Sequence, residues 1–280
     1  LMPCNPAIGG PAKSTLVREI DALGGQMGIT ADATYLQMKT LNMSKGPAVR
    51  ALRAQSDKKE YTQYMRNVIQ ENENIFLKQC CISQLLTKDD KIIGAVDEYG
   101  ITYSSPVVIL TTGTSLEAKI WVGLNSYPAG RLGEMPARGL SKSLLDLGFT
   151  IKRLKTGTPQ RVDSRTIDYS KMIIQNGDDE LSFYSFRPDR PIRKKYPCYL
   201  TKTNAKTHEI IKANLDKSPM YSGLIHAIGP RYCPSIEDKI VRFASNPSHH
   251  IFVEPEGLST YEVYIQGFSS SLPADVQVQM

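Results

Sequence analysis

A series of short strand patterns limits this chain to a fold that contains a β-sheet. Four runs rich in apolar and β-branched residues are separated by turn sequences, at 75–78, 82–87, 91–97 and 101–104. Such a series is typical of a strand meander. The run at 106–113 starts Pro-Val-Val-Ile-Leu and leads into a glycine-containing loop, which is typical of a strand buried on both faces of a parallel sheet. We therefore predict a sheet that ends in a buried strand at 106–113.

Helical patterns precede these strands. A first helix is predicted before Gly24-Gly25, with an inner face formed by Leu16, Val17, Ile20 and Leu23. The segment 57–71 is amphipathic and predicts a second helix, after a basic loop at 42–53 that leads towards it. A helix followed by a meander and an apolar strand indicates an α/β nucleotide-binding lobe.

The sequence changes in character beyond Gly148. Residues 151–230 are rich in loops and prolines and contain one clear helical pattern, at 204–215. Because 41% of the 280 residues are hydrophobic, the chain can bury a substantial core. We predict a second lobe that is inserted into, or appended to, the first.

Positive charge is concentrated in one segment. The formal net charge is +6, and nine basic but only three acidic side chains lie between Arg187 and Lys217. Aromatic residues are mixed with these cations, and such surfaces stack unpaired bases and hold phosphates. The residues predicted to contact RNA are Arg187, Arg190, Arg193, Lys194, Lys195 and Tyr196. The alternative is a solvated loop with a few anchoring aromatics.

Cysteine and histidine usage argues against several protein classes. Five cysteines occur without a Cys-x-x-Cys pair, which favours a reducing cytoplasm over a disulfide-stapled secreted fold. Four histidines have no metal-ligand spacing, so no metal site is expected. The sequence shows no signal peptide and no apolar run long enough to cross a bilayer, so we expect a cytoplasmic protein that does not bind membranes.

Cys233 lies where a cysteine is suited to chemistry. It precedes a predicted helix start in which Ser235 is the N-cap and Asp238 completes a capping box. Backbone N–H groups and the helix dipole favour a thiolate at such a position, and Arg231 adds positive charge that Glu237 partly opposes. The alternative is a small buried hydrophobe, the commonest fate of a free cysteine. The spacing leaves both interpretations open.

A glycine-rich turn at 9–14 invites comparison with a P-loop. The pattern fails, because Ala7 and Ala12 stand where the P-loop requires glycines. What remains is Gly9-Gly10 feeding a helix N-terminus, a general cradle for an anion such as pyrophosphate.

Two further loops are candidates for ligand contacts. Lys45-Gly46-Pro47 with Arg50 offers cations and a flexible backbone; the alternative is an ordinary solvated basic helix face. Gly113-Thr114 follows the strand predicted at 106–113, and ligands of α/β sheets bind at the C-terminal ends of strands.

Seven stretches of the chain are close to motifs of one protein family. They are 4–10 (Cys-Asn-Pro-Ala-Ile-Gly-Gly), 16–25, 44–50 (Ser-Lys-Gly-Pro-Ala-Val-Arg), 153–159 (Arg-Leu-Lys-Thr-Gly-Thr-Pro), 197–199 with 203–204, 229–239 (Gly-Pro-Arg-Tyr-Cys-Pro-Ser-Ile-Glu-Asp-Lys) and 252–257 (Phe-Val-Glu-Pro-Glu-Gly). On these stretches, which run almost the whole length, the chain resembles the MnmG (GidA) family.

The resemblance implies an α/β fold, with a Rossmann-like FAD-binding domain of the glutathione-reductase type and an inserted α+β domain. The expected domains are a partial FAD-binding domain at 1–150, an inserted domain associated with substrate and NADH at 151–270, and a return towards the FAD-binding domain at 271–280. The family's first strand, its G-x-G-x-x-G loop and its helical C-terminal region have no counterpart here. We therefore interpret the chain as an internal fragment and expect it to bind FAD poorly on its own.

The family's activity is the addition of an aminomethyl-type group, carboxymethylaminomethyl in bacteria, to carbon 5 of the tRNA wobble uridine. The resemblance implies FAD and NADH as cofactors and a methylene-tetrahydrofolate as carbon donor. The implied partners are the tRNA anticodon stem-loop, the GTPase MnmE and a second copy of the chain. Cys4 and Cys233 are the implied catalytic residues, one of which adds to carbon 6 of the uridine; which one stays open.

Residue patterns and resemblance together give a set of expected cofactor contacts. In the first half of the chain they are Asn5, Gly9, Gly10, Lys45, Gly46, Pro47, Arg50, Ile82, Gly113, Thr114 and Ala137. In the stretch that matches the NAD(H)-binding segment they are Gly229, Pro230, Arg231, Tyr232, Pro234, Ser235, Ile236, Glu237, Asp238 and Lys239. Ala137 stands where the family usually has serine, so its side chain cannot make the usual flavin contact.

Two other functions compete with this one. The first is the related folate- and FAD-dependent methyltransferase that acts on the tRNA T-loop uridine and shares the use of paired cysteines. The second is a non-catalytic RNA-binding module in which the basic-aromatic segment 182–204 is the functional part.

Overall fold

The computed structural model describes residues 2–188, 191–227, 229 and 233–280. Its strands are β1 (Ala7–Gly9), β2 (Tyr35–Leu41), β3 (Ala51–Ser56), β4 (Ile82–Lys88), β5 (Lys91–Asp97), β6 (Thr102–Ser104), β7 (Lys119–Val122), β8 (Asn125–Pro128), β9 (Arg161–Asp163), β10 (Ile173–Gln175), β11 (Cys198–Lys202), β12 (His250–Pro255) and β13 (Glu262–Gln266). Its helices are α1 (Ser14–Ala22), α2 (Met27–Thr34), α3 (Lys58–Gln70), α4 (Leu140–Asp146), α5 (Ala205–Ala213), α6 (Ile236–Arg242) and α7 (Ala274–Gln279). Short 3-10 helices lie at Pro47–Val49, Ser164–Thr166, Tyr169–Lys171 and Leu215–Lys217.

The chain forms two compact units, each built from three segments. Unit 1 comprises Leu1–Phe76, Thr158–His208 and Asp238–Ser270. Unit 2 comprises Leu77–Gly157, Glu209–Glu237 and Ser271–Met280. The predicted division into domains at 1–150, 151–270 and 271–280, with one domain inserted into the other, stays a prediction.

Unit 1 contains two antiparallel sheets. The first has the strand order β1-β3-β2, and the second has the order β10-β11-β12-β13-β9. In the second sheet Val253 of β12 pairs with Ile265 of β13, and Tyr264 of β13 pairs with Arg161 of β9. This last register places an aromatic and a cation side by side at one edge of the sheet.

The core of unit 1 lies between the first sheet and its helices. Tyr35, Met38 and Tyr184 are fully buried there, together with Val17 and Tyr61. Burying an apolar side chain of this size contributes about 1.5–3 kcal/mol, and a buried tyrosine also needs a partner for its hydroxyl. The Tyr184 hydroxyl donates to backbone carbonyls of this same sheet.

Helix α3 begins at an aspartate cap. The Asp57 carboxylate accepts the backbone N–H groups of Lys59 and Glu60, each at 3.0 Å, as an N-cap does. Its second oxygen accepts the N–H of Leu258 at 2.8 Å, so the cap also fixes the segment that follows β12. The amphipathic helix predicted at 57–71 is confirmed, with Tyr61 buried on its inner face.

Unit 2 contains the predicted meander. Strands β4, β5 and β6 form an antiparallel sheet in sequence order, which confirms the strands predicted at 82–87, 91–97 and 101–104. Asp89 and Asp90 both have positive φ, 48° and 58°, as a two-residue type I′ hairpin turn requires. The hairpin of β7 and β8 and the helix α4 complete this part of the unit.

Two predicted strands are absent from the structure. Residues 75–78 are irregular, and 106–113 are also irregular, with Val107 and Ile109 exposed. A parallel strand exists only through hydrogen bonds to its neighbours. Among the described residues no strand pairs with 106–113, so its apolar composition alone does not produce a buried strand.

The face of α1 was also predicted wrongly. Val17 is buried as expected, but Leu16 and Leu23 are exposed. The inward side of the helix instead carries the buried Ser14 and Asp21, because the Asp21 carboxylate accepts the backbone N–H of Phe186 at 2.8 Å. The hydrogen bond from the Phe186 backbone to Asp21 therefore has more influence on the orientation of α1 than its apolar face has.

Strands β2 and β3 were missed. The basic loop 42–53 was predicted to lead towards a helix, but it turns into β3, which pairs antiparallel with β2 before α3 begins. The helix predicted at 204–215 is confirmed as α5. Within the part of the chain that the structure covers, no helix is both long and apolar enough to cross a membrane.

Substitutions at Gly9 and Gly10 test how tightly the core of unit 1 is packed around Tyr184. Both have positive φ, 80° and 84°, but a methyl group at Gly9 would overlap the Tyr184 hydroxyl, whereas one at Gly10 would meet no atom within 4 Å. We expect Gly10→Ala to lower the free energy of unfolding by about 1–2 kcal/mol through backbone strain. Gly9→Ala should cost a further ~1–3 kcal/mol through overpacking. Urea denaturation of both variants measures the difference, and equal losses would contradict this account of the core.

Candidate functional site

Cys4 is a half-buried residue of unit 1 that contacts two paired strands, β9 and β13. Its Sγ is 3.1 Å from the Tyr264 hydroxyl on β13. Its backbone carbonyl accepts a hydrogen bond of 3.0 Å from the Arg161 guanidinium on β9. Because Tyr264 and Arg161 are cross-strand partners, one register of the sheet holds both the thiol and the backbone of Cys4.

Arg161 connects Cys4 to a buried carboxylate. Its Nε donates to Glu256 at 2.5 Å, and its Nη1 donates to the Thr158 hydroxyl at 2.8 Å and to the Pro159 carbonyl at 3.0 Å. The guanidinium carbon also lies 4.8 Å from the centre of the Tyr264 ring, within the range of a cation–π contact. A planar fork with several fixed acceptors has little freedom, so Arg161 holds the Cys4 backbone in one place.

A second buried carboxylate, Glu254, anchors the residue next to Cys4. Its oxygens accept hydrogen bonds from Asn5 at 2.8 Å and from Arg53 at 2.9 Å. Gln266 accepts from the same two donors, at 2.6 Å and 3.2 Å. Burial raises the pKa of Glu254, against the opposing effect of Arg53 and the Asn5 hydrogen bond. This network fixes the chain on the C-terminal side of the thiol.

One atom of this network has no partner. The side-chain oxygen of Asn5 is buried and accepts no hydrogen bond from any described residue. A buried acceptor is normally satisfied, so this oxygen is an exception within the network.

Burial changes the ionisation of Tyr264 and of Cys198, the second cysteine of unit 1. Burial raises the pKa of Tyr264, and the neighbouring Cys4 adds to the shift, so the phenol stays neutral at physiological pH. Burial raises the pKa of Cys198 to about 12. Cys198 is therefore a buried thiol that stays protonated at neutral pH.

Cys233 lies in unit 2, shortly before α6. Its Sγ accepts the backbone N–H of Gly157 at 3.2 Å and lies 3.8 Å from the carbonyl of the same residue. Ser235 directly precedes α6, which confirms the predicted helix start. The Cys233 side chain is half-buried. Arg231, predicted to add positive charge here, lies outside the described residues.

The rest of the expected NAD(H)-binding stretch is divided between the two units. Glu237 is fully buried and its carboxylate accepts the N–H of Ser271 at 3.1 Å. Lys239 donates to the Gly267 carbonyl at 3.1 Å, and burial lowers its pKa. Ile236 is a core residue, whereas Gly229 and Pro234 are exposed. Asp238 is half-buried, and Pro230 and Tyr232 lie outside the described residues.

The glycine-rich turn uses its backbone donors within unit 1. The N–H of Gly10 donates to the Leu52 carbonyl at 2.8 Å, and those of Lys13 and Ser14 donate to the Gly10 carbonyl. Gly9 is needed for the close approach of Tyr184. These amides are therefore not available as the anion cradle expected at 9–14, and a cofactor role for Gly9 and Gly10 stays a prediction.

The remaining expected cofactor residues lie in exposed or half-buried positions. In unit 1, the loop between β2 and β3 exposes Lys45, Gly46, Pro47 and Arg50. In unit 2, Ile82 begins β4, Gly113 and Thr114 form an exposed turn, and Ala137 donates its N–H to Ser115 at 2.9 Å. No described group of three or more His, Cys, Asp or Glu side chains is arranged to hold a metal ion.

The residues predicted to contact RNA divide into structural and exposed ones. Arg193 forms an ion pair with Glu60 and donates to the Ala33 carbonyl, and Lys195 donates to the Asp178 carbonyl at 2.8 Å. Arg187 and Lys194 are exposed; the Lys194 ammonium lies 5.5 Å from the ring of Tyr196. Arg190 lies outside the described residues. Tyr184, an aromatic of the basic-aromatic segment 182–204, is a core residue.

Sequence reasoning missed the framework around Cys4. Its members are Arg53, Arg161, Glu254, Glu256, Tyr264 and Gln266. One signal was available, because the motif Phe-Val-Glu-Pro-Glu-Gly at 252–257 places two carboxylates in an otherwise apolar stretch. Charged residues are rarely buried without partners, so such acids predict buried ion pairs. Their partners, far away in the sequence, were not predictable.

Arg161→Lys tests whether this framework depends on the guanidinium fork. Lysine keeps the charge but cannot reach Glu256, Thr158 and the Cys4 carbonyl together, so we expect the free energy of unfolding to fall by about 1–3 kcal/mol. Arg165→Lys is the matched control, because Arg165 makes an exposed ion pair with Asp163 on the same segment and should leave stability unchanged. Urea denaturation measures both, and an equal effect of the two variants would contradict the role given to Arg161.

Comparison with known proteins places this arrangement in a family. The family model for glucose inhibited division protein A (GidA) matches residues 1–280. The chain is 53% identical over 280 residues to the "tRNA uridine 5-carboxymethylaminomethyl modification enzyme MnmG" of Synechocystis sp., covering 99% of this chain and 44% of the relative. It is 52% identical over 279 residues to the protein of the same name from Bacillus subtilis, again covering 44% of that protein.

A solved structure has the same fold. The Aquifex aeolicus GidA crystal structure in form I is 47% identical, with a TM-score of 0.91, and the match covers 99% of this chain and 47% of that chain. This likeness confirms the predicted α/β fold class. The chain spans less than half the length of the curated relatives it matches. On the family match and the structural likeness together, the chain belongs to the GidA family.

Proposed function

We propose that this chain is part of an enzyme that adds a carboxymethylaminomethyl group to carbon 5 of a tRNA uridine, at the wobble position. The observation that carries the proposal is the half-buried Cys4, whose thiol contacts Tyr264 and whose carbonyl accepts from Arg161 on the paired strand. The relatives' name states a reaction at carbon 5 of uridine, and that reaction calls for a positioned thiolate.

The chemistry of uridine explains the need for a thiolate. Carbon 5 is a poor nucleophile until a thiolate adds to carbon 6. The S–C6 bond then forms and the C5=C6 electron pair moves onto the carbonyl oxygen at carbon 4, which makes carbon 5 nucleophilic. After carbon 5 has taken up its new substituent, a base removes its proton, the double bond returns and the C6–S bond breaks. The thiolate is regenerated unchanged.

Cys4 and Cys233 are the two candidates for these roles. Cys4 has its carbonyl bonded to Arg161, and the residue after it is tied to Glu254, so its thiol is pre-positioned. Cys233 accepts a backbone N–H from Gly157, which holds its sulfur in place. One thiol adds to carbon 6 and the other assists proton transfer; the assignment between them stays open.

FAD and NADH are the proposed cofactors, with a methylene-tetrahydrofolate as carbon donor. The unpartnered oxygen of Asn5 fits an N–H donor of a bound ring, and the exposed Lys45 and Arg50 beside Gly46 fit phosphate groups. In unit 2, the exposed turn at Gly113 leaves room for a ligand. When bound, the flavin supplies reducing equivalents that it receives from NADH.

The proposed partners are the tRNA anticodon stem-loop, the GTPase MnmE and a second copy of the chain, in the cytoplasm. The exposed cations Arg187 and Lys194 support tRNA binding through phosphate contacts. The T-loop methyltransferase is disfavoured, because the relatives are named for a reaction that adds a different group.

Cysteine substitution tests the proposal. In a protein of the relatives' full length that carries this sequence, Cys4→Ala and Cys233→Ala should each abolish formation of modified wobble uridine, because the nucleophile or its partner is lost. Cys81→Ala is the control, since Cys81 directly precedes β4 and has no contact with Cys4 or Cys233 among those described above. Nucleoside analysis of the tRNA by mass spectrometry measures the product. Wild-type levels in either of the first two variants would refute the role of that cysteine.

Lys194→Gln tests the RNA contact without disturbing the fold. Because its ammonium is exposed, whereas Arg193 is paired with Glu60, we expect weaker tRNA binding and a salt dependence reduced by about one unit of slope. Lys91→Gln, an exposed lysine on β5, is the matched control. Filter binding across a range of salt concentrations measures both, and identical slopes for the two variants would exclude Lys194 as a phosphate contact.

A further inference from the structure

We propose that Tyr264 is a positioning residue for Cys4, and that its hydroxyl donates a hydrogen bond that orients the Cys4 thiolate and favours its formation. The inference rests on the proposed function, in which Cys4 takes part in the reaction, and adds a residue to it that no motif of the sequence indicated.

The Tyr264 hydroxyl is positioned against the Cys4 sulfur. Tyr264 is 6% exposed, and among the described residues its hydroxyl contacts the Cys4 sulfur alone, at 3.1 Å. A phenol carries one hydrogen that it donates. While the sulfur is a neutral thiol either atom can donate, but towards a thiolate the phenol is the only possible donor of the pair.

The charge state of the pair sets the direction of the hydrogen bond. Burial raises the pKa of Tyr264, so the phenol keeps its proton in the pH range where thiols ionise. A thiolate has no hydrogen and only accepts, and a hydrogen bond to an ionised acceptor is stronger than one between neutral groups. The contact therefore stabilises the thiolate more than the thiol.

The surroundings of the pair are charged, but they do not replace this donor. Arg161 on β9 and Glu254 on β12 act on Tyr264 with opposite signs. Arg53 on β3 is committed to Glu254, and Glu256 to Arg161 and Lys58. All of these groups remain when the hydroxyl alone is removed, so its effect is separable from theirs.

The contact also distinguishes the two cysteines. The sulfur of Cys233 accepts a backbone N–H, from Gly157, which no side-chain substitution removes. The sulfur of Cys4 accepts from a side chain. Changing Tyr264 should therefore affect the reactivity of Cys4 and leave that of Cys233 as it was.

Tyr264→Phe tests the inference through the thiol itself. Alkylation by iodoacetamide is followed between pH 6 and pH 10, and each cysteine is quantified by mass spectrometry of its own peptide. We expect the pH profile of Cys4 alkylation to move up by about one unit, a roughly tenfold slower reaction at neutral pH. The plateau rate at high pH reports access to the sulfur and separates a change in exposure from a change in ionisation.

Two internal references and one matched variant complete the design. The Cys233 profile should stay unchanged, and Cys198, whose pKa burial raises to about 12, should remain unlabelled below pH 10 until the protein is unfolded. Tyr261→Phe removes a hydroxyl from an exposed tyrosine shortly before β13 and should leave the Cys4 profile unchanged. An unmoved Cys4 profile in Tyr264→Phe, or an equal shift in Tyr261→Phe, overturns the inference.

Measurements of uridine modification distinguish this inference from the proposed function on which it rests. In the full-length protein, Tyr264→Phe should slow uridine modification about tenfold at pH 7 and recover part of the rate at higher pH. A purely structural role would lower the melting temperature without displacing the pH profile, and that result overturns the inference. Full activity of Cys4→Ala would instead refute the proposed function of Cys4, independently of the alkylation shift.

Discussion

Two carboxylates buried near the end of β12 determine how the surroundings of Cys4 are built. Glu254 and Glu256 are almost completely removed from water, and the effective cost of burying an ion is on the order of several kcal/mol unless it is paired and hydrogen-bonded. The partners come from distant parts of the chain: Asn5, Arg53, Lys58 and Arg161. Each carboxylate binds two of these partners, and Asn5 and Arg161 in turn hold the backbone beside the Cys4 thiol.

The local elements were predictable where a few neighbouring residues decide the conformation. Asp57 is an N-cap whatever lies beyond the helix, and Asp89-Asp90 forms a tight turn between two strands. The failures lie where distant contacts decide. The apolar run 106–113 has no strand beside it among the described residues, and α1 is oriented by the tie between Asp21 and Phe186, which no periodicity reveals.

The same distinction between local and distant contacts applies to the candidate site. The position of Cys233 before a helix was readable from its neighbours, and Cys4 was singled out by the motif at 4–10. The residues that hold Cys4, however, lie about 50 to 260 positions away along the chain, and their pairing follows from the register of the five-stranded sheet. Such a register depends on the complete pattern of strand contacts. Sequence reasoning therefore named the two candidate cysteines and missed the residues that position Cys4.

The segment 182–204 combines two kinds of residue that the sequence did not separate. Tyr184 is buried in the core of unit 1, and Arg193 forms an ion pair with Glu60. Lys194, in contrast, is exposed to solvent. A segment fastened in this way can exchange its outward residues without refolding, since surface substitutions away from such contacts usually change stability little. The charge of the outward face and the stability of the fold are therefore free to change independently as sequences diverge.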